Sequence, residues 1–216
     1  MEINIVAGGP NAYIPDLKRL NSSGKESIWL GVDRGALYVL DANLHLHGVF
    51  GDFDSISEEE LNYVKNNCDQ FFEYPPEKDA TDLELALEWA YRQRPVRVSI
   101  YGATGGRMDH ALANIMMLTD EKHINEGIQT RIVDNNNEIT FFKPGSYAVK
   151  ESDLKYISFI PISAEVEGMT LVNFKYPLSN TTLTRGKTLS VSNELNFQSG
   201  TFSFTNGILL VVRSRD

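Results

Sequence analysis

The chain has a single cysteine, Cys68, among 216 residues. No internal disulfide can form, so a small scaffold stapled by disulfides is excluded. Long apolar runs are also missing: none approaches the roughly 18 residues that a membrane helix needs. Cations are in short supply, with 20 Lys and Arg against 29 Asp and Glu, a net charge of −9. The shortfall is local: residues 1–150 carry 14 basic against 23 acidic side chains, and residues 151–216 carry 6 against 6. An acidic surface repels nucleic acid and anionic membranes, so neither is expected as a partner. It can still take a polyphosphate when a divalent cation lies between them. The opening residues Met1-Glu2-Ile3-Asn4-Ile5-Val6-Ala7-Gly8-Gly9-Pro10 have no basic segment and no cleavage site, so no signal peptide is expected. A cytoplasmic location is the default.

What is present is ordinary for a globular chain: 42% hydrophobic and 23% charged residues. This excludes a disordered, collagen-like or coiled-coil chain. The length allows one large domain or two small ones, and the pattern changes character near residue 145. The expected organisation is an α/β domain over residues 1–144 and a small all-β domain over residues 145–216.

In the first part, short apolar runs alternate with helix-like stretches. Strands are expected at 3–7, 28–32, 48–50, 71–74, 96–101 and 131–133. Ser57 with Glu60, and Thr81 with Glu84, each make a capping-box pattern. Leu83, Ala86, Leu87 and Ala90 follow the second at helical spacing, and that helix must end before Pro95. A third helix is expected from about Met108 through Leu118. Strands alternating with helices predict a mostly parallel sheet covered on both faces, a three-layer α/β domain. After Gly145 the helical period fades, and β-rich runs recur at 156–161, 170–174, 201–204 and 208–212. Asn206-Gly207 between the last two reads as a hairpin turn. These features predict a β-sandwich or partial barrel.

The chemistry-bearing residues cluster where strands run into Gly/Asp-rich turns: Gly8-Gly9-Pro10, Asp33-Arg34-Gly35, Gly51-Asp52-Phe53-Asp54-Ser55 and Gly102-Ala103-Thr104-Gly105-Gly106-Arg107. In an open α/β sheet, ligands bind at the carboxyl ends of strands. In an extended segment Asp52 and Asp54 would face one side and could share a cation; equally, they could simply cap a turn. Asp79 and Asp82, three apart at a helix start, have the same two readings, because acidic residues also favour helix amino termini. Taken together, four carboxylates at neighbouring strand ends repel one another unless a metal neutralises them, and Mg²⁺ suits oxygen ligands beside phosphate. The stretch Gly102–Arg107 lies between a strand and a helix. Its backbone N–H groups and Arg107 suit an anion, although it matches neither the P-loop nor the dinucleotide pattern; a plain tight turn is the alternative. His45, His47 and His123 show no metal-ligand spacing with cysteine, and Ser55 has no His/Asp partner pattern.

Gly51-Asp52-Phe53-Asp54-Ser55, then Lys78-Asp79-Ala80-Thr81-Asp82-Leu83-Glu84, then Gly102–His110 with Asn114, resemble the ordered motifs of the thiamine pyrophosphokinase family. Tyr176-Pro177-Leu178, Leu183, Gly186 and Ser192-Asn193-Glu194 resemble the β-domain signature of the same family. The resemblance implies an α/β domain followed by a β-sandwich that binds thiamine and dimerises. It implies Mg²⁺-dependent transfer of the pyrophosphoryl group of ATP to the hydroxyl of thiamine, releasing AMP, in a homodimer with active sites at the interface. Asp52, Asp54, Asp79 and Asp82 are then the metal-binding and catalytic residues. Asp33, Arg34, Lys78, Thr81, Gly102, Thr104, Gly105 and Arg107 are the expected ATP contacts. Asp109, Ser192 and Asn193 are the expected thiamine contacts, with Phe197 a candidate aromatic partner or else β-domain core. The rival readings are a pyrophosphokinase for another alcohol, such as a pterin, and a non-catalytic nucleotide or thiamine sensor.

Overall fold

Six apolar runs of the first part become parallel strands: β1 (Glu2–Val6), β2 (Ser27–Val32), β3 (Leu46–Gly51), β4 (Cys68–Glu73), β5 (Arg97–Tyr101) and β6 (Gln129–Val133). The computed structural model describes residues 1–21, 27–54, 56–74, 79–120 and 127–216. They divide into two units, Met1–Asn135 and Asn136–Asp216. The division falls ahead of residue 145 because the segment just before it is already a strand of the second unit.

In the first unit the strand order is β4-β3-β2-β1-β5-β6. The chain steps outward from β1 to β4, returns to the other side of β1 with β5, and so reverses direction between β1 and β5. The inner strands are buried along nearly their whole length. Continuous apolar runs of this kind mark parallel strands covered on both faces. Among the described residues, the helices connecting them are α1 (Leu17–Asn21), α2 (Gly35–Asp41), α3 (Glu58–Asn66), α4 (Asp82–Arg92) and α5 (Met108–Met117). Neighbouring residues of β3 show the three layers. Val49 packs in one cluster with Ala36, Leu37 and Val39 of α2, whereas Phe50 meets Trp89 of α4 edge to face. Successive strand residues point to opposite faces, so α2 and α4 cover opposite faces of the sheet.

The capping signals set two helix starts. The Ser57 hydroxyl accepts the Glu60 N–H at 3.2 Å, and the Glu60 carboxylate accepts the Ser57 N–H at 2.8 Å. At α4 the Thr81 hydroxyl accepts the Glu84 N–H at 3.2 Å, and Leu83, Ala86, Leu87, Ala90 and Tyr91 form the buried face. Helix α5 is apolar yet has no buried residue. Met108, Leu112 and Met116 on it are exposed.

The second unit is all β: β7 (Asn137–Phe142), β8 (Gly145–Lys150), β9 (Tyr156–Pro161), β10 (Glu165–Val172), β11 (Leu178–Thr184), β12 (Ser199–Phe204) and β13 (Leu209–Ser214). Strand β13 pairs antiparallel with β7 and β9. The remaining four form an antiparallel sheet in the order β11-β10-β12-β8. Phe159 of β9 packs on Phe202 of β12 at 5.2 Å between ring centroids, and Phe142 of β7 meets the same ring at 5.0 Å. Two antiparallel layers with interdigitated inner faces make a β-sandwich. Asn206-Gly207 is therefore not the hairpin turn its sequence suggests: β12 and β13 lie in different layers, and Asn206 instead bridges Glu167. Gly207, at φ +99, supplies the left-handed backbone for this change of layer.

Candidate active site

Because the six strands of the first unit are parallel, all their carboxyl ends reach one edge of the sheet. Asp33 follows β2 with φ +50, and its N–H donates to the Phe50 carbonyl of β3 at 2.9 Å. Its carboxylate lies over Gly51, where a side chain would collide with Oδ1. Gly8, after β1, sits against Asp33 and Arg34. The Tyr74 N–H donates to the Gly51 carbonyl at 3.1 Å, which joins the end of β4 to that of β3. Arg34 leans toward α3, with its guanidinium 4.0 Å from Glu60.

The Asp52–Asp54 turn differs from the extended geometry expected for it. Phe53 has φ +59, an uncommon backbone for a bulky residue. Its ring is buried and stacks on Phe71 at 4.7 Å. That anchor pulls the chain into a turn, and the Asp52 carboxylate accepts the Asp54 N–H at 3.2 Å. The turn-capping reading of Asp52 is thus observed, while Asp54 stays exposed. Asp79 is exposed, and Asp82, in the first turn of α4, is half-buried. Among the described residues, the four aspartates do not come together as a cluster of ligand atoms within 4.8 Å; His45, His47 and Asp69 do. Lys78, Ser55 and His123 lie outside the described residues.

The glycine turn occupies the reversal point between β1 and β5, where open α/β sheets place ligands. The Gly9 N–H donates to the Gly102 carbonyl at 2.9 Å. Gly102 has φ +66, and a side chain there would strike the Ala7 carbonyl. Gly105, at φ +83, rests on the Tyr13 ring and is exposed, as is Gly106. The turn is held from below. Thr104 donates its hydroxyl to the buried Asp134 carboxylate at 2.7 Å, and Asn114 of α5 donates to the Ala103 carbonyl at 3.0 Å. Asp134 went unread in the sequence; its signal was an acidic residue directly after the apolar end of β6. Arg107 forks onto Asp109 at 3.1 and 2.6 Å. These hydrogen bonds hold the Asp109 carboxyl down to about 2. The pair is fully exposed, beside the amino terminus of α5.

In the second unit the two neighbours Ser192 and Asn193 have opposite placements. Ser192 is exposed, with φ +56, and its N–H donates to the Ser158 hydroxyl at 3.0 Å. Asn193 is 2% exposed. Its amide donates to the Tyr176 carbonyl at 2.8 Å, and its oxygen accepts the N–H groups of Tyr176 at 3.0 Å and Glu194 at 2.9 Å. The Asn193 side chain thus ties two segments of its own unit together. Phe197 is 67% exposed and so is not core.

Two family models match the chain: "Thiamin pyrophosphokinase, catalytic domain" over residues 20–130, and "Thiamin pyrophosphokinase, vitamin B1 binding domain" over residues 147–209. A thiamine pyrophosphokinase of Bacillus subtilis (strain 168) is 46% identical over 215 residues, 99% of each chain. The crystal structure of thiamine pyrophosphokinase from Bacillus subtilis superposes with a TM-score of 0.92 at 44% identity, covering 100% of both chains. That of a thiamin pyrophosphokinase family protein from Enterococcus faecalis gives 0.91 at 35%, again with 100% of both chains. The fold, the order of the motifs and the full-length match agree: this chain is a member of the thiamine pyrophosphokinase family.

Proposed function

We propose that the protein transfers the β,γ-pyrophosphoryl group of ATP to the hydroxyl of thiamine, giving thiamine diphosphate and AMP. The observation that carries this reading is that the aspartates after β3 and β4 and the glycine turn after β5 stand at the carboxyl ends of strands of one parallel sheet, in a chain 46% identical over its full length to a thiamine pyrophosphokinase. In the reaction the thiamine oxygen bonds to the β-phosphorus, the bond from that phosphorus to the oxygen bridging the α-phosphate breaks, and AMP leaves. The hydroxyl proton is lost as the new bond forms. Such a transfer needs positioning and charge neutralisation more than covalent help from the protein.

Asp52, Asp54, Asp79 and Asp82 offer oxygen donors only, on turns and on a helix start rather than in the core, and this donor chemistry fits Mg²⁺. When bound, Mg²⁺ neutralises phosphate charge. The exposed Gly105 and Gly106 turn, backed by Asp134 and Asn114, offers rigid backbone N–H groups to phosphate oxygens. Arg107 adds a planar cation once it exchanges Asp109 for phosphate. Asp33, Arg34, Lys78, Thr81, Gly102 and Thr104 belong to the ATP side, with Thr104 oriented by Asp134. Asp109 and Ser192 are the thiamine contacts, and Asn193 shapes the turn that presents Ser192.

A homodimer completes this reading. Met108, Leu112 and Met116 of α5, and separately Leu189, Val191 and Phe197 of the second unit, are apolar and exposed in the single chain. A second copy of the chain would cover them. None of the described helices is long and apolar enough to cross a membrane.

The test is AMP release from ATP and Mg²⁺ in the presence of either thiamine or a hydroxymethyl pterin. AMP that depends on thiamine and not on the pterin supports the assignment. The reverse dependence would transfer the enzyme to another alcohol.

A further inference from the structure

The sequence gives no sign that its histidines act together, yet the fold gathers two of them. Strand β3 pairs with β4 so that Leu46 faces Cys68 and Gly48 faces Gln70, which sets His47 opposite Asp69. His45, two residues earlier, shares the face of His47. Nε2 of His45 lies 2.8 Å from Oδ2 of Asp69. The two imidazoles meet edge to face at 4.4 Å between centroids. One potential ligand atom from each of the three residues lies within 4.8 Å of the others. His45 and Asp69 are exposed and His47 is half-buried, so an ion can enter from solvent.

This cluster stands at the amino ends of β3 and β4, whereas the aspartate turns follow their carboxyl ends. A strand of this length separates the two by about 15–20 Å at roughly 3.3 Å per residue. The cluster is therefore no part of the phosphate-handling edge.

We propose that His45, His47 and Asp69 form a binding site for a divalent transition-metal ion of the zinc type. Two imidazoles and one carboxylate suit Zn²⁺, which takes three protein ligands with water in the fourth position. They suit Mg²⁺ poorly, because it prefers oxygen ligands in octahedral geometry. The site is not fully formed in advance. Nδ1 of His47 accepts the Trp29 N–H at 3.2 Å, which leaves the proton of the neutral ring on Nε2. To ligate an ion, His47 gives up that bond, so that one ring nitrogen keeps the proton and the other takes the metal. His47 is then the weakest of the three ligands, and His45 with Asp69 dominate the affinity. Because β4 is the edge of its sheet, the ion would fasten an edge strand to its neighbour.

The test is a Zn²⁺ titration by calorimetry, with melting temperature read in parallel, on the full chain and on the exposed-site variants His45→Gln and Asp69→Asn. The proposal expects each variant to bind Zn²⁺ at least about tenfold more weakly and to lose the zinc-dependent rise in melting temperature seen in the unmodified protein. Circular dichroism confirms that the variants are folded, and AMP release with ATP and Mg²⁺ remains unchanged in them. Equal affinity and equal thermal shift in all three proteins, or no zinc binding by the unmodified protein, would overturn it. Zinc taken up at the aspartate turns alone would give that equal result.

Discussion

The two units use their conspicuous polar residues in different ways. In the first, Asp54 and Asp79 stand exposed on turns, outside the buried core. In the second, the Ser-Asn-Glu stretch is largely internal wiring. Asn193 satisfies three backbone groups, and Glu194 accepts from Lys175 at 2.9 Å and reaches Lys155 at 3.2 Å. Equally conspicuous motifs can thus serve different ends. A polar group with no duty to the core is available for ligand chemistry, while a buried one with every hydrogen bond satisfied serves the fold first. Substitutions of the exposed aspartates should accordingly cost rate, and substitution of the buried Asn193 should cost stability.

The sharpest way to break this contrast is Asp54→Asn or Asp82→Asn. Turnover should fall by roughly a hundredfold to a thousandfold, as for loss of one preorganised electrostatic group. The urea midpoint should move little; the helix-dipole contribution of a carboxylate in the first turn is about 0.3–1 kcal/mol. A well-folded variant with unchanged rate would remove the aspartates from the reaction.

Next in size is Asn193→Ala. It leaves the Tyr176 N–H and carbonyl and the Glu194 N–H without their partner, and should cost about 2–4 kcal/mol of stability, read by denaturant unfolding. If stability holds and only thiamine affinity falls, Asn193 is a ligand contact after all and the contrast fails.

Ser192→Ala probes the neighbouring residue. Its exposed hydroxyl contributes little to the fold, so stability should change by less than about 0.5 kcal/mol. The KM for thiamine should rise by roughly fivefold, the worth of about one neutral hydrogen bond, with kcat nearly unchanged.

The smallest expected effect concerns Asp109. Its folded pKa is lowered from the ordinary carboxylate range to about 2, first through the Arg107 hydrogen bonds. A depressed carboxylate contributes stability that is present above its unfolded pKa and is lost as pH falls toward 2. Above about pH 5 the pair should therefore be pH-independent, and carbon NMR of the Asp109 carboxyl should show a midpoint near 2. A midpoint near 4 would mean that the pair is open in solution.

Much of the first unit was legible from its sequence, because strands buried on both faces are written as apolar runs, and Ser57 and Thr81 announce their helices. The short α1 and α2 carry few periodic residues and left no clear signal. In the second unit β8 and β11 were hidden because half or more of the residues in each are exposed, so their composition resembles loop. Asn206-Gly207 carries hairpin chemistry, but the bridge of Asn206 to Glu167 of β10 and the pairing of β13 with β7 and β9 outweigh that local preference. The candidate aspartates could be named from spacing, yet the turn at Asp52 could not, because it depends on where the Phe53 ring is buried. Asn193 could be marked but not given its role, since burial is decided by Tyr176 and Ile157, distant in sequence.

The central claim is that the edge built by the first unit directs attack to the β-phosphorus of ATP, with thiamine as acceptor. The direct measurement is product identity by mass spectrometry after incubation with ATP, Mg²⁺ and thiamine. AMP and thiamine diphosphate in equal amounts is the result the account predicts; ADP with thiamine monophosphate would contradict it.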